Sequence, residues 1–300
     1  YIEWTGSELN ETVTLTADSS GMITLYSGTQ PMGQGIATSY LQIFSEQLQI
    51  PVNQLKVVQG DTDLVEGHGS VGSRSLFVGG NAILRGIEDF LEECKQLAAS
   101  ELEASVEDLE YHQGNFQVKG TRVGIGIFDL CSRQSGNSIS VKRKKELTGR
   151  SWPNGCHVAE VEIDAETGEV RLDRYVSVDD VGNTVNPMIV HGQVQGGIAS
   201  GLGQAVLERT EYDASGQLLS GSYMDYALPR ADDMPSLSGS LFEKAPCLTN
   251  PLGAKGTGEI GAVAGPPAIV HAVIDALAEK GITQVDMPLQ PQKIWECLNR

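Results

Sequence analysis

The stretch Gly253–Val273, GAKGTGEIGAVAGPPAIVHAV, sets one carboxylate, Glu259, among closely spaced glycines. A carboxylate held by close-packed backbone against a substrate or a metal-bound water can serve as a general base. The same glycines spell Gly256-x-Gly258-x-x-Gly261, the letters of a dinucleotide-binding loop. That loop needs a strand directly before it and a helix directly after it. The preceding residues, TNPLGAK, contain Pro251 and Gly253 and make a poor strand. The helix is expected only from Pro266–Pro267, because proline suits a first helical turn. A P-loop is excluded, since no Gly-Lys-Ser/Thr is present. The stretch therefore reads as a loop that presents Glu259.

Three other Gly-rich segments stand before expected helices: Gly33–Gly35, Gly67–Ser75 and Gly192–Gly197. Glycine lets backbone approach a ligand closely, and helix N-termini offer unpaired N–H groups with a favourable dipole. One such loop is ordinarily a turn. Four in one chain point to a phosphate-bearing ligand, provided that the fold brings them together. The net charge of −18 and the isolation of the one basic run, Lys142–Lys145, argue against nucleic acid. The five cysteines form no C-x-x-C, which argues against a zinc site, an iron–sulfur cluster or a disulfide framework and fits a cytoplasmic protein. No apolar run reaches membrane-spanning length.

The elements that must position these loops follow from periodicity. Thr12–Gly28 alternates about Ser19-Ser20-Gly21 and predicts a β-hairpin. A helix follows with Leu41, Phe44 and Leu48 on one face, then a strand ending near Gly60. A long amphipathic helix carries Ile83, Ile87 and Leu91. Residues 107–150 mix short strands and loops. A second hairpin turns at Thr167-Gly168, and the helix after it places Val194, Ile198 and Leu202 inward. The order hairpin, Gly loop, helix thus occurs twice. Residues from Tyr223 read as a strand that runs into a Pro-punctuated loop. Helices carrying Ile269, Val273 and Leu277, then Ile294, Trp295 and Leu298, close the chain. The expected fold class is mixed α/β with two lobes, residues 1–150 and 151–300, in which hairpins and sheets are covered by the helices that follow the Gly loops.

At this point the motifs carry a resemblance. GTQPMGQG, VVQGDTD followed by GSVGSRS, SWPNGCHVAEVEIDAETGEV, VDDVGNTVNPMIVHGQVQGG and NPLGAKGTGEIGAVAGPPAIVHAVIDAL occur in the order found in one family. The chain resembles the C-terminal, molybdenum-cofactor-binding part of the large subunit of the xanthine oxidase family. That family includes aldehyde oxidoreductases, N-heterocycle hydroxylases and carbon monoxide dehydrogenases. The resemblance implies that Gly33, Gln34 and Gly35 lie beside the molybdenum centre and pterin. It implies that Gly72, Ser73, Arg74 and Ser75 contact the pterin pyrophosphate region, and that Gln193 hydrogen-bonds the cofactor. It implies that Lys255, Gly256 and Gly258 shape the wall from which Glu259 acts as the catalytic base. The cofactor implied is molybdopterin cytosine dinucleotide, whose own dithiolene holds molybdenum, so no protein residue is expected as a metal ligand.

The activity implied is hydroxylation of an aldehyde or N-heterocycle with water as the oxygen source. Carbon monoxide dehydrogenase is the alternative within the family. A non-catalytic module for a phosphorylated ligand is the alternative outside it. Many relatives carry His at the positions of Ile36 and Gln195, and a small residue at that of Ile260, which leaves the detailed contacts open. The family's N-terminal half, which completes the cofactor cleft and substrate pocket, is not in this sequence. The chain is therefore expected to be inactive alone and to need that half, with iron–sulfur (2Fe-2S) and flavin (FAD) subunits as further partners. A half-cleft also exposes surface open to self-association into a homo-oligomer.

Overall fold

The structure is a computed structural model that describes residues 1–299. Its first half is organised by the hairpin β1 (Asn10–Asp18) and β2 (Ile23–Ser27). Val13, Leu15 and Ala17 alternate inward on β1, as Ile23 and Leu25 do on β2. This is the period-two pattern of a sheet with one buried face. The turn is set by Gly21 at φ 96° and by the Asp18 carboxylate, which accepts from the Ser20 N–H at 2.8 Å. After α1 (Ile36–Leu48), β3 (Leu55–Val58) joins β2 in parallel. A π-helical turn, Ser75–Gly80, runs into α2 (Asn81–Glu101).

Three short strands, β4 (Leu109–His112), β5 (Asn115–Val118) and β6 (Gly124–Gly126), make a small antiparallel sheet beside α3 (Ile127–Ser132). The strand β7 (Ser138–Glu146) then returns to pair with β1, giving the sheet order β3-β2-β1-β7. The basic run Lys142–Lys145 thus lies on an edge strand, where charge discourages further strand pairing. Arg143 and Lys145 both reach Asp89 of α2. The inner faces of α1 and α2 (Phe44, Leu48, Ile83, Ile87, Phe90) and of this sheet form one hydrophobic core.

The second half builds another. The long hairpin β8 (Asn154–Ile163) and β9 (Val170–Asp180) turns at Gly168, φ 76°. The strand β10 (Leu237–Leu241) lies parallel to β9. Against this sheet pack α4 (Pro187–Leu202), α5 (Ile260–Ala276) and α6 (Pro291–Leu298). Val194, Ile198, Leu202, Ile269, Val273, Leu277 and Ile294 are buried in its core, while Trp295 is exposed.

The crossing of α4 and α5 explains Gly197 and Gly261, which the sequence reading assigned to loops. A Cβ on Gly261 would stand 2.3 Å from the Val194 carbonyl oxygen, and one on Gly197 would stand 2.8 Å from the Ala262 nitrogen. Only glycine lets the two backbones touch there.

Three expectations are corrected. The segment Gly192–Gly197 is not a loop: it is interior to α4, which begins at Pro187 behind Asn186, whose side chain caps the Ile189 N–H at 3.1 Å. The helix α5 begins at Ile260, not at the prolines, which lie inside it. The interior Pro266 packs over Gly201 of α4, where a Cβ would meet its Cδ at 2.9 Å. A helix therefore does follow Glu259 directly, and the dinucleotide-loop reading fails on the missing strand alone: before the loop there is only an isolated bridge, Gly182 to Ala254. Lastly, residues from Tyr223 form turns rather than a strand.

Candidate functional site

The first and second Gly loops are tied together by one serine. The hydroxyl of Ser70 donates to the Gln30 carbonyl at 2.7 Å, and it accepts from the Gln30 N–H at 3.1 Å and from the Ser75 hydroxyl at 2.7 Å. Gln34 folds back on its own loop: its Nε2 donates to the Gln30 carbonyl at 2.9 Å, and its Oε1 accepts from the Met32 N–H at 2.8 Å. Gly33 and Gly35, at φ 89° and 75°, permit the sharp path of this loop into α1. Gly72 and Ser73 are both left-handed, at φ 58° and 52°, the second an uncommon state for a residue with a side chain.

The last loop closes on the second. A Cβ on Gly256 would lie 2.3 Å from the Ser73 carbonyl oxygen, so glycine is required for the two backbones to meet. Gly258 faces the Ser73 hydroxyl and the Gln193 amide, at 3.5 and 3.7 Å from where its Cβ would be. The result is an open cleft of about 510 Å³, solvent included, lined by Gln34, Ser73, Ser75, Gln193, Thr257 and Gly258, with Ile36, Ile189 and Leu76 as its apolar side. All four segments singled out in the sequence contribute to this one cleft.

Glu259 stands at its rim, exposed, at the N-cap position of α5. Its Oε2 accepts from the Ser73 hydroxyl at 2.9 Å. The same hydroxyl lies 2.9 Å from Oε1 of Glu3, a residue only 7% exposed. Burial raises the Glu3 carboxyl to about 7, the nearby negative charge of Glu259 adds to the rise, and the Ser73 hydrogen bond only partly opposes it. Sequence reasoning missed Glu3, because a lone glutamate in YIEWTG carries no spacing signal. It also missed Asn186, which the Asn-Pro pair before an apolar periodic run could have marked as a cap.

Two basic side chains, Arg74 and Lys255, are held away from the cleft. The Arg74 side chain is fully buried and turned away from the cleft. Its guanidinium pairs with the buried Glu11 carboxylate at 2.7 Å and donates to the carbonyls of Glu8, Asn10 and Gly69 at 3.1, 2.6 and 2.7 Å. Four of its five N–H groups are thereby used, so Arg74 anchors the second loop to β1 and its fork is not free for a pyrophosphate. The ammonium of Lys255 pairs with Asp180 at 2.6 Å, so this residue shapes the wall through its backbone, whose N–H donates to the Val181 carbonyl.

Ile36 is buried and lines the cleft, whereas Gln195 is exposed on α4 outside the lining. Ile260 is fully buried in the second core, so it packs and does not narrow the pocket.

The cleft suits an anionic, phosphate-bearing group. Among the described residues, no backbone carbonyl accepts from the N–H of Gln34, Gly35, Ser73, Thr257 or Gly258. Gln34 and Gly35 precede α1, Thr257 and Gly258 precede α5, and no described Lys or Arg lines the cleft, so backbone donors and helix N-termini are what it offers an anion. Among the described residues, no group of three His, Cys, Asp or Glu is arranged to hold a metal ion. Among the described residues, likewise, no helix is long and apolar enough to cross a membrane.

Comparison with known proteins shows the family. Residues 1–235 match the sequence family described as the molybdopterin cofactor-binding domain. The chain is 33% identical over 97% of its length to the 6-hydroxypseudooxynicotine dehydrogenase complex subunit gamma of Paenarthrobacter nicotinovorans, and spans 38% of that protein. It is 34% identical over 90% of its length to the carbon monoxide dehydrogenase large chain of Hydrogenophaga pseudoflava, and spans 35% of it. The crystal structure of quinoline 2-oxidoreductase from Pseudomonas putida 86 superposes with a TM-score of 0.88 at 31% identity, covering 100% of this chain and 41% of the other.

Proposed function

We infer the role of this chain from the family to which it belongs, the molybdopterin cofactor-binding domains of molybdenum hydroxylases, and from the cleft built by its Gly loops. The chain supplies one wall of a cofactor cleft in a larger oxidoreductase. The observation that carries this reading is the convergence of Gln34, Ser73, Ser75, Gln193 and Gly258 beside Glu259. Backbone donors of Gln34, Gly35, Ser73, Thr257 and Gly258 hold the anionic pterin and phosphates, and the amide of Gln193 orients them. Gly33, Gly72 and Gly256 give those loops their path, Ser75 ties them together, and Arg74 and Lys255 fix them from behind. The cofactor in this reading is molybdopterin cytosine dinucleotide. When bound, it supplies a two-electron redox centre at which an oxygen from water is delivered to an electron-poor carbon.

Glu259 is the general base. Its exposed carboxylate accepts a proton from the incoming water oxygen, while the Ser73 hydroxyl fixes its Oε2. Aldehydes and aromatic N-heterocycles are the substrate classes. The N-terminal half of the large subunit covers the cleft, and 2Fe-2S and FAD subunits take the electrons. Two lobes, residues 1–150 and 151–300, meet at the cleft in this reading, supported by the two separate hydrophobic cores. All five cysteines are free thiols, which supports a reducing compartment such as the cytoplasm.

The test is molybdenum and acid-released cytidine nucleotide on the full-length protein made in a cofactor-producing host. Equimolar amounts are expected, and Glu259→Gln should retain both while turnover falls by roughly 10²–10⁴-fold. A stable protein that holds neither, or a variant with near-normal turnover, overturns the reading.

A further inference from the structure

One hydroxyl between two carboxylates poses a counting problem. Ser73 Oγ lies 2.9 Å from Oε1 of Glu3 and 2.9 Å from Oε2 of Glu259. A serine hydroxyl has a single proton to donate and lone pairs to accept with. If it donates to one glutamate, the other must bring its own proton. Glu259 is exposed and can keep its charge in water. Glu3 is 7% exposed, and among the described residues its buried Oε2 has no hydrogen-bond partner and no ion pair includes it. The groups that face it are Glu259, a like charge, and Tyr1, whose hydroxyl is committed to Asp179 at 2.9 Å.

We propose that Glu3 is a positioning residue for Glu259: a neutral carboxyl that donates to Ser73, so that Ser73 donates in turn to Glu259 and fixes its Oε2 at the rim of the cleft. The rise of the Glu3 carboxyl to about 7 agrees with this assignment. The direction of the chain also follows from charge. With Glu3 neutral, one negative charge sits at the rim. With Glu3 ionised, two carboxylates compete for one proton, and the second disfavours the first. The relay Glu3–Ser73–Glu259 is thus intact below about pH 7 and broken above it.

The proposal rests on Glu259 being the base, but its first test does not. Infrared difference spectra of the full-length, cofactor-loaded protein, with glutamate carboxyls ¹³C-labelled, are compared between pH 5.5 and pH 8.5. A protonated-carboxyl band that titrates near 7 is expected in the wild type and absent from Glu3→Gln. Absence of that band in the wild type, or its persistence in the variant, overturns the proposal whatever Glu259 does.

The second readout is the pH profile of kcat on probe substrates, quinoline and benzaldehyde. Glu3→Gln keeps the donor but cannot ionise, so the fall in kcat as pH rises through about 7 should disappear. Glu3→Leu removes the donor and should lower kcat about tenfold or more with KM nearly constant. If Glu259→Gln turns over normally while the band titrates as expected, the base assignment falls and the proton on Glu3 stands. If Glu3→Leu does not fold, the infrared comparison of wild type with Glu3→Gln decides alone.

Discussion

Replacing Arg74 by methionine should separate anchoring from ligand binding, because the structure places its charge wholly inside the protein. The Arg74 and Glu11 side chains are both 0% exposed and 2.7 Å apart. Removing the cation leaves the Glu11 carboxylate buried without a partner, which costs about 3–5 kcal/mol. The Glu8, Asn10 and Gly69 carbonyls lose a donor as well, so the upper end of that range is expected. For a unit of this size, roughly 2 °C of melting temperature goes with each kcal/mol, so the domain's transition should fall by about 10 °C. The double variant Glu11→Leu/Arg74→Met removes both charges and should recover a good part of that loss, since a buried pair replaced by apolar residues is often nearly neutral. The assay is thermal unfolding of the full-length protein, with nucleotide content measured per folded molecule below the transition. Nucleotide should be retained in the double variant. A single variant that melts like the wild type, or nucleotide lost equally from both variants without loss of stability, would refute the reasoning and return the guanidinium to the ligand.

Further outcomes follow from the same packing. Gly256→Ala places a Cβ 2.3 Å from the Ser73 carbonyl oxygen, so the last loop must move off the second; stability should drop by about 1–3 kcal/mol, with weaker nucleotide retention in a dialysis assay. Lys255→Met strips the partner from Asp180, whose side chain is 12% exposed; a loss of about 3 kcal/mol is expected in denaturant unfolding. Glu3 makes a pH-dependent contribution to stability. Its carboxyl is raised in the folded state from 4.5 to about 7, so that contribution is complete below pH 4.5 and is lost as pH rises through 7. Melting temperatures of wild type against Glu3→Gln across that window should converge on a pH-independent difference above it.

Much of the architecture is written in local pattern. The alternation on Val13, Leu15 and Ala17 and the Gly168 turn specify the two hairpins, and the helical spacing of Val194, Ile198 and Leu202 specifies a buried face. These follow from neighbours in the chain, and neighbours suffice for them. The motif order also indicated the family, and with it Glu259 and the loops that surround it. The start of α5 was less legible. Proline at a first turn is a sound local rule, but Pro266 is stabilised inside the helix by its fit over Gly201, a residue 65 positions away whose side the sequence does not mark. Gly192–Gly197 misled for the same reason: glycine that reads as a loop serves here as the contact surface of a helix.

What the sequence alone determined, then, was the two hairpins, the main amphipathic helices, three of the four Gly loops and the one carboxylate set among glycines. Tertiary structure decided which of the polar side chains face the cleft. Arg74 and Lys255 carry the charges that composition would assign to an anionic ligand, yet each is consumed by a buried acid, Glu11 or Asp180, brought to it from far along the chain. Glu3 carried no signal at all and lies on the hydroxyl that holds Glu259. The physical reason is that a buried charge must be paired or neutralised, and its partner is chosen by where the folded chain passes rather than by spacing in the sequence.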